Sequence, residues 1–191
     1  MNRLRYCVAL VFSVLISTQA YAEADYGNAI KVFRDSPVVQ PYFKDSYGYA
    51  IFPTVGKGGI GIGGAHGKGK VYRGGKLSGD TSMTQLSIGW QLGGQAYSQI
   101  IFFQDKRAYN EFTSGNFEFG AQASAVAITA GAQAQAGTGG ATASASPGGS
   151  AGAQAKTDYH KGMAVFTRAK GGLMYEAAIG GQKFSYKPIG K

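Results

Sequence analysis

Eight glycines lie between residues 59 and 75, and several alternate with apolar residues, as in Gly59-Ile60-Gly61-Ile62-Gly63. At roughly 1 kcal/mol lost per glycine relative to alanine, this stretch is no helix. Alternating glycine makes a strand with one nearly bare face, which another backbone or a large ring can approach closely. The flanking residues read the same way. Tyr49-Ala50-Ile51-Phe52 is a compact apolar run closed by Pro53, and Val71-Tyr72 leads into Arg73-Gly74-Gly75-Lys76, a tight hairpin turn.

Further strands follow from period-two patterns. In 82–92, Leu86, Ile88, Trp90 and Leu92 fall on one face, and Gln85, Ser87, Gly89 and Gln91 on the other. Gly93-Gly94 turns the chain, and Tyr97 to Phe103 ends apolar on both faces, the mark of a central strand. Asp105 caps a short helix holding Ala108, Tyr109 and Phe112, and 116–130 alternates Phe117, Phe119, Ala121 and Ala123. Met163 to Ala169, Lys170-Gly171-Gly172 and Leu173 to Ala178 read as a hairpin, with Gln182 to Tyr186 the last strand. Ahead of all these, Tyr26, Ala29, Ile30 and Phe33 recur at helical spacing in 25–36, and Ser36-Pro37 suits the start of a second short helical turn. The expectation is an α+β domain. Short N-terminal helices pack on a curled, mostly antiparallel sheet or partial barrel of about seven or eight strands.

Two segments stand outside that core. Arg3 and Arg5, the short apolar run from Tyr6 to Ser17, and Ala20-Tyr21-Ala22 form the pattern of a cleaved secretory signal peptide over residues 1–22. The expected destination is the periplasm or envelope, or the medium. The single cysteine, Cys7, lies in that segment, so residues 23–191 are read as one domain without a disulfide or thiolate nucleophile. Residues 131–156 are almost wholly Ala, Gly, Ser, Thr and Gln, and read as a long mobile loop.

Catalytic and cofactor motifs fail on context. Gly59 to Gly64 satisfies G-x-G-x-x-G, yet the motif needs a following helix to meet the pyrophosphate. Gly64 to Lys70 puts Val71 where a phosphate loop needs Ser or Thr. Gly148 to Gly152 matches the nucleophile elbow inside low-complexity sequence, with no strand or helix to strain it. His66 and His160 lack ligand-spaced partners, and the acidic residues are scattered. No enzyme, metal or cofactor is expected.

Charge carries the remaining signal. The formal net charge is +9, and it is uneven: residues 44–76 hold six basic residues against Asp45, and 156–191 hold seven against two acidic ones. Such ends suggest an anionic partner. Export and the lack of aromatic–basic stacking exclude nucleic acid.

The chain resembles the SYLF domain family. The resemblance is carried by Tyr47-Gly48-Tyr49-Ala50-Ile51-Phe52-Pro53, Val55-Gly56-Lys57-Gly58-Gly59, Gly61-Ile62-Gly63-Gly64 and Gly69-Lys70-Val71-Tyr72. It continues through Gln91-Leu92-Gly93-Gly94-Gln95, Ile100-Ile101-Phe102-Phe103, Gly115-Asn116-Phe117-Glu118-Phe119, Gly162-Met163-Ala164-Val165-Phe166 and Gly171-Gly172-Leu173-Met174-Tyr175-Glu176. It covers 23–191 apart from the low-complexity tract. It implies a non-enzymatic domain, whose eukaryotic relatives bind phosphoinositides and in some cases actin. Export makes actin an unlikely partner here and leaves anionic phospholipid membrane. Lipid contact in the family is associated with basic and N-terminal amphipathic regions, into which Lys31, Arg34, Lys57, Lys68, Lys70 and Arg73 fall; Lys76 adjoins them.

Six basic residues at about 1 kcal/mol each give at most roughly 6 kcal/mol. Allowing for Asp45, about 4–5 kcal/mol means a dissociation constant near 1 mM or a little tighter. Stable attachment needs inserted apolar groups as well. Ile30, Phe33, Tyr42 and Phe43 are candidates, unless they pack the helix onto the sheet. Two other readings fit an exported, glycine-rich chain. One is a small outer-membrane β-barrel, against which the sparse flanking aromatics speak. The other is an envelope structural module using 131–156 as its contact.

Overall fold

In a computed structural model of the chain, residues 25–60, 62–88, 95–120, 123–127, 159–170 and 177–190 are described. Residues 1–22, read above as a signal peptide, Trp90, Leu92, Gly93-Gly94 and Gly171-Gly172, both read above as turns, and the 131–156 tract lie outside them.

Helix α1 (residues 25–34) and α2 (Gln40–Asp45, with Pro41 in its first turn) precede a sheet of nine strands among the described residues. Its strands are β1 (Gly48–Ile60), β2 (Ile62–Arg73), β3 (Lys76–Ile88), β4 (Gln95–Phe103), β5 (Phe117–Glu118), β6 (Ser124–Ala127), β7 (Met163–Lys170), β8 (Ala177–Ala178) and β9 (Lys183–Pro188). Helix α3 (Lys106–Phe112) follows β4. The order across the sheet is β5-β9-β3-β2-β1-β4-β7-β6-β8, antiparallel except for β6 beside β7. Seven strands are substantial and two are two-residue ladders, so the α+β architecture and strand number agree with the sequence.

The three strands at the centre are apolar on both faces. Ala50, Phe52, Ile101, Phe103, Met163 and Val165 point to one side, where α3 places Ala108, Tyr109 and Phe112. Ile51, Ile100, Phe102, Ala164 and Phe166 point to the other, where α1 and α2 cover them with Ala29, Phe33, Tyr42 and Phe43. We call the first side inner and the second outer. Ring contacts knit each layer: Phe103 to Phe112 and Phe112 to Phe184 inside, at 4.9 and 5.0 Å, and Tyr42 to Phe166 outside, at 4.9 Å. Asp105 caps α3, its Oδ1 accepting from the Ala108 amide at 2.8 Å.

Four local expectations are corrected. Pro53 does not end its strand; β1 runs through it by slipping register between Ile51 and Thr54, an irregularity that tolerates a missing N–H. The 116–130 strand is two pieces, β5 and β6, on opposite flanks of the sheet. Residues 177–178 pair with β6, which itself lies against β7, so the expected 163–178 hairpin is replaced by an inserted strand. In β3 the buried face is the polar-looking one: Gln85 is 8% exposed and Leu86 86% exposed. Phase there follows Thr81 and Met83, which turn inward, and Gln85 is satisfied by donating to the Gly180 carbonyl at 2.9 Å.

Close approach at glycine occurs as the pattern implied, at several positions that include Gly67 and Gly69 of the alternating run. A Cβ on Gly69 would meet the Phe52 ring at 2.7 Å and the Ile51 carbonyl at 2.8 Å, while one on Gly56 would meet nothing within 4 Å. The Gly74-Gly75 turn has φ of 54° and 77°, the positive pair a tight hairpin requires. Gly69→Ala should therefore cost about 1–3 kcal/mol by urea denaturation, and Gly56→Ala less than about 0.5 kcal/mol. Equal losses at both positions would show that the Phe52 contact is not the reason for glycine.

Candidate functional site

Because α1 and α2 pack over β1, β4 and β7 and reach β2 only around Tyr72 and Lys70, they leave the rest of the outer face of β2, β3 and β9 uncovered. Along β2, Ala65, Gly67, Gly69 and Val71 are buried, so His66, Lys68 and Lys70 alternate to the outside. Register then builds rows across three strands. Lys70 lies opposite Asp80, which lies opposite Lys187. One row further, Lys68 faces Ser82 and Ser82 faces Ser185, whose hydroxyls meet at 2.7 Å. The next row is His66, Thr84 and Lys183. Four lysines thus converge from segments more than 100 residues apart in sequence, around hydroxyls and one carboxylate.

Within this face lies an open groove of about 270 Å³, lined by Tyr26, Lys68, Asp80, Ser82, Ser185 and Lys187 among others. Its wall toward α1 is held firmly. Lys70 Nζ sits 4.8 Å from the centre of the Tyr26 ring, and Lys170 Nζ donates to Thr54 Oγ1 at 2.6 Å and lies 3.5 Å from Asp25. Lys183 is 3.6 Å from Glu118. Leu86 shares the outward phase of Ser82 and Thr84, and its cross-strand neighbour Gly64 has no side chain to cover it.

The structure splits the residues singled out from sequence. Lys68 and Lys70 belong to the groove face. Lys31 is on α1, paired with Asp35 at 2.8 Å, and Arg34 lies over the Phe43 ring at 5.0 Å. Lys57 is half-buried and faces the opposite way, since it pairs with the inward Ala65. Arg73 lies 5.7 Å from the ring of Tyr109, on the inner side, with Lys76 across the hairpin turn from it. Lys183 and Lys187, together with Ser82, Ser185 and Asp80, were missed. The basic count of 156–191 contained the two lysines, but nothing local to them showed that β9 lies beside β3.

The arrangement is suited to binding. Its polar groups are lysine ammoniums, hydroxyls and a single carboxylate, and no group of three His, Cys, Asp or Glu gathers anywhere among the described residues. The inner side carries a separate polar cluster. Gln99 and Gln182 are fully buried and exchange amide hydrogen bonds at 2.9 and 3.2 Å, and Gln182 also donates to the Tyr97 hydroxyl at 3.3 Å. Burial pushes the Tyr97 phenol up to about 12, against the smaller opposing effect of that hydrogen bond. This cluster is satisfied internally and serves packing.

Over residues 84–186 the chain matches the Ysc84 family, described as Las17-binding protein actin regulator. The match takes in the end of β3, β4, α3 and the strands up to most of β9, including Lys183, while Lys68 and Lys70 precede it. The chain is also 26% identical over 157 residues to Beta cell expansion factor A of Aeromonas veronii, covering 81% of this chain and 51% of that protein. It spans about half the length of that relative.

The apolar residues of α1 answer a question left open by sequence. Phe33 is fully buried against the sheet, and Ile30, Tyr42 and Phe43 are half-buried in the same layer. They pack the helices down. Phe33→Ala should cost about 3–5 kcal/mol in thermal or urea unfolding. A loss below about 1 kcal/mol would mean that α1 is not docked as described.

Proposed function

The chain belongs to the Ysc84 (SYLF) family, and from that membership we propose a non-catalytic domain that docks on anionic phospholipid membranes. The docking face is the outer side of β2, β3 and β9. The observation that carries this reading is the convergence of Lys68, Lys70, Lys183 and Lys187 on one uncovered face with Asp80 as the carboxylate among them. We propose also that residues 1–22 direct export, so that the membrane met is that of the periplasm or envelope. Such a location separates the chain from actin, the subject of the family description.

Magnitudes favour weak, reversible attachment. Four lysines less two carboxylates, Asp80 and the Glu118 paired with Lys183, supply about 2 kcal/mol near an anionic surface, at about 1 kcal/mol per charge. Leu86, 86% exposed on the same face, adds about 1.5–3 kcal/mol if its side chain enters the acyl boundary. The sum of about 4 kcal/mol corresponds to a dissociation constant of about 1 mM. Leu86 thus takes the anchoring role that sequence had offered to Ile30, Phe33, Tyr42 and Phe43. The charged rows also argue against a membrane-spanning barrel, whose outward wall is an apolar band.

Changing Lys68, Lys70, Lys183 and Lys187 together to Gln should weaken co-sedimentation with phosphatidylglycerol vesicles by about a thousandfold. Arg73→Gln with Lys76→Gln should weaken it by less than about fivefold. Raising salt from about 0.1 M to about 1 M should release the wild type, as screening shortens from about 10 Å to about 3 Å. Undiminished binding by the fourfold variant would contradict the proposal.

A further inference from the structure

Asp80 is out of place in a surface that serves only to attract negative charge. It occupies the middle of the row Lys70–Asp80–Lys187, it is exposed, and among the described residues it makes no ion pair. A carboxylate one cross-strand spacing, about 5 Å, from each lysine weakens the field that a phosphate would feel. An unpaired carboxylate beside hydroxyls is instead an acceptor set for a cation that can donate hydrogen bonds. Ser82 and Ser185 stand in the adjoining row with their oxygens 2.7 Å apart, and Lys68 and Lys187 flank the groove.

Resting on the docking function proposed above, we propose that this groove recognises the phosphoethanolamine headgroup of phosphatidylethanolamine. Its phosphate lies against Lys68 and Lys187, and its primary ammonium donates to the Asp80 carboxylate and the Ser82 and Ser185 hydroxyls. The ligand is bipolar because the groove is bipolar: cations at its flanks and one anion within. A quaternary ammonium has no N–H and cannot use those acceptors, so phosphatidylcholine is discriminated against. Lys70 is engaged by the Tyr26 ring and stays a general attractor of negative surface rather than a headgroup ligand.

The test uses the full chain with two vesicle sets, each holding the same minority of phosphatidylglycerol, the remainder being phosphatidylethanolamine or phosphatidylcholine. The wild type should bind the ethanolamine vesicles about fivefold more tightly, the yield of one partly exposed ion pair. Asp80→Asn should erase that preference and bind the choline vesicles at least as well as the wild type, because a repelling charge is gone. Those opposite shifts from one variant separate headgroup recognition from lipid packing, which acts on both proteins alike, and retained choline-vesicle binding certifies the fold. Competition follows the same logic: soluble phosphoethanolamine should displace the wild type from the ethanolamine vesicles and phosphocholine should not. Equal wild-type binding to both sets, or a preference that survives Asp80→Asn, overturns the headgroup assignment while leaving anionic docking standing. Failure of the wild type to bind either set overturns the docking function itself.

Discussion

Burial of β1, β4 and β7 on both faces is the constraint from which the rest of the structure follows. A strand apolar on two sides must be covered twice, and this chain does so with unequal means. The inner side is closed by the curl of the sheet, α3 and a run of phenylalanines from β5 and β9. The outer side is closed by α1 and α2, which are short and span only the centre. Helices of that size cannot also roof β2, β3 and β9. The open outer face is therefore a consequence of where the apolar residues are, and its lysines occupy the space the helices leave.

That division also separates the residues that hold the fold together from those assigned to the proposed docking face. Aromatic side chains near the N-terminus look amphipathic, but Phe33 has no exposure and Tyr42 and Phe43 are committed to Phe102 and Phe166. Leu86 is the reverse: an apolar side chain held out because the strand's phase is decided by Thr81 and Met83. Membership of the Ysc84 family agrees with a binding role. The groove supplies a chemical form for the proposed docking, with the Ser82 and Ser185 hydroxyls and the Asp80 carboxylate set among lysines.

Local order was legible in the sequence wherever one interaction decided it. The two-sided apolar run Ile100–Phe103 marked β4 as central, Asp105 announced α3, and Gly74-Gly75 announced the β2–β3 turn. Legibility failed where a distant partner decided. Nothing near Leu86 reveals that Gln85 has a carbonyl waiting at Gly180. Pro53 looks like a terminator until a register slip accommodates it. The candidate site was half visible for the same reason: Lys68 and Lys70 were found by their density, Lys183 and Lys187 only by the pairing of β9 with β3. Lys57, close to Lys68 in sequence, stands apart from the groove because its pairing with Ala65 turns it inward.

The central claim is one of orientation: the β2–β3–β9 face meets the bilayer, and the helical face looks away. Paramagnetic broadening of the protein's NMR signals by nitroxide-headgroup lipids in phosphatidylglycerol bicelles measures that orientation directly. Signals of Lys68, Ser82, Leu86, Ser185 and Lys187 should broaden most, with those of Lys31, Arg34 and Tyr42 little affected. Strongest broadening along α1 and α2, with the lysine rows untouched, would contradict the account.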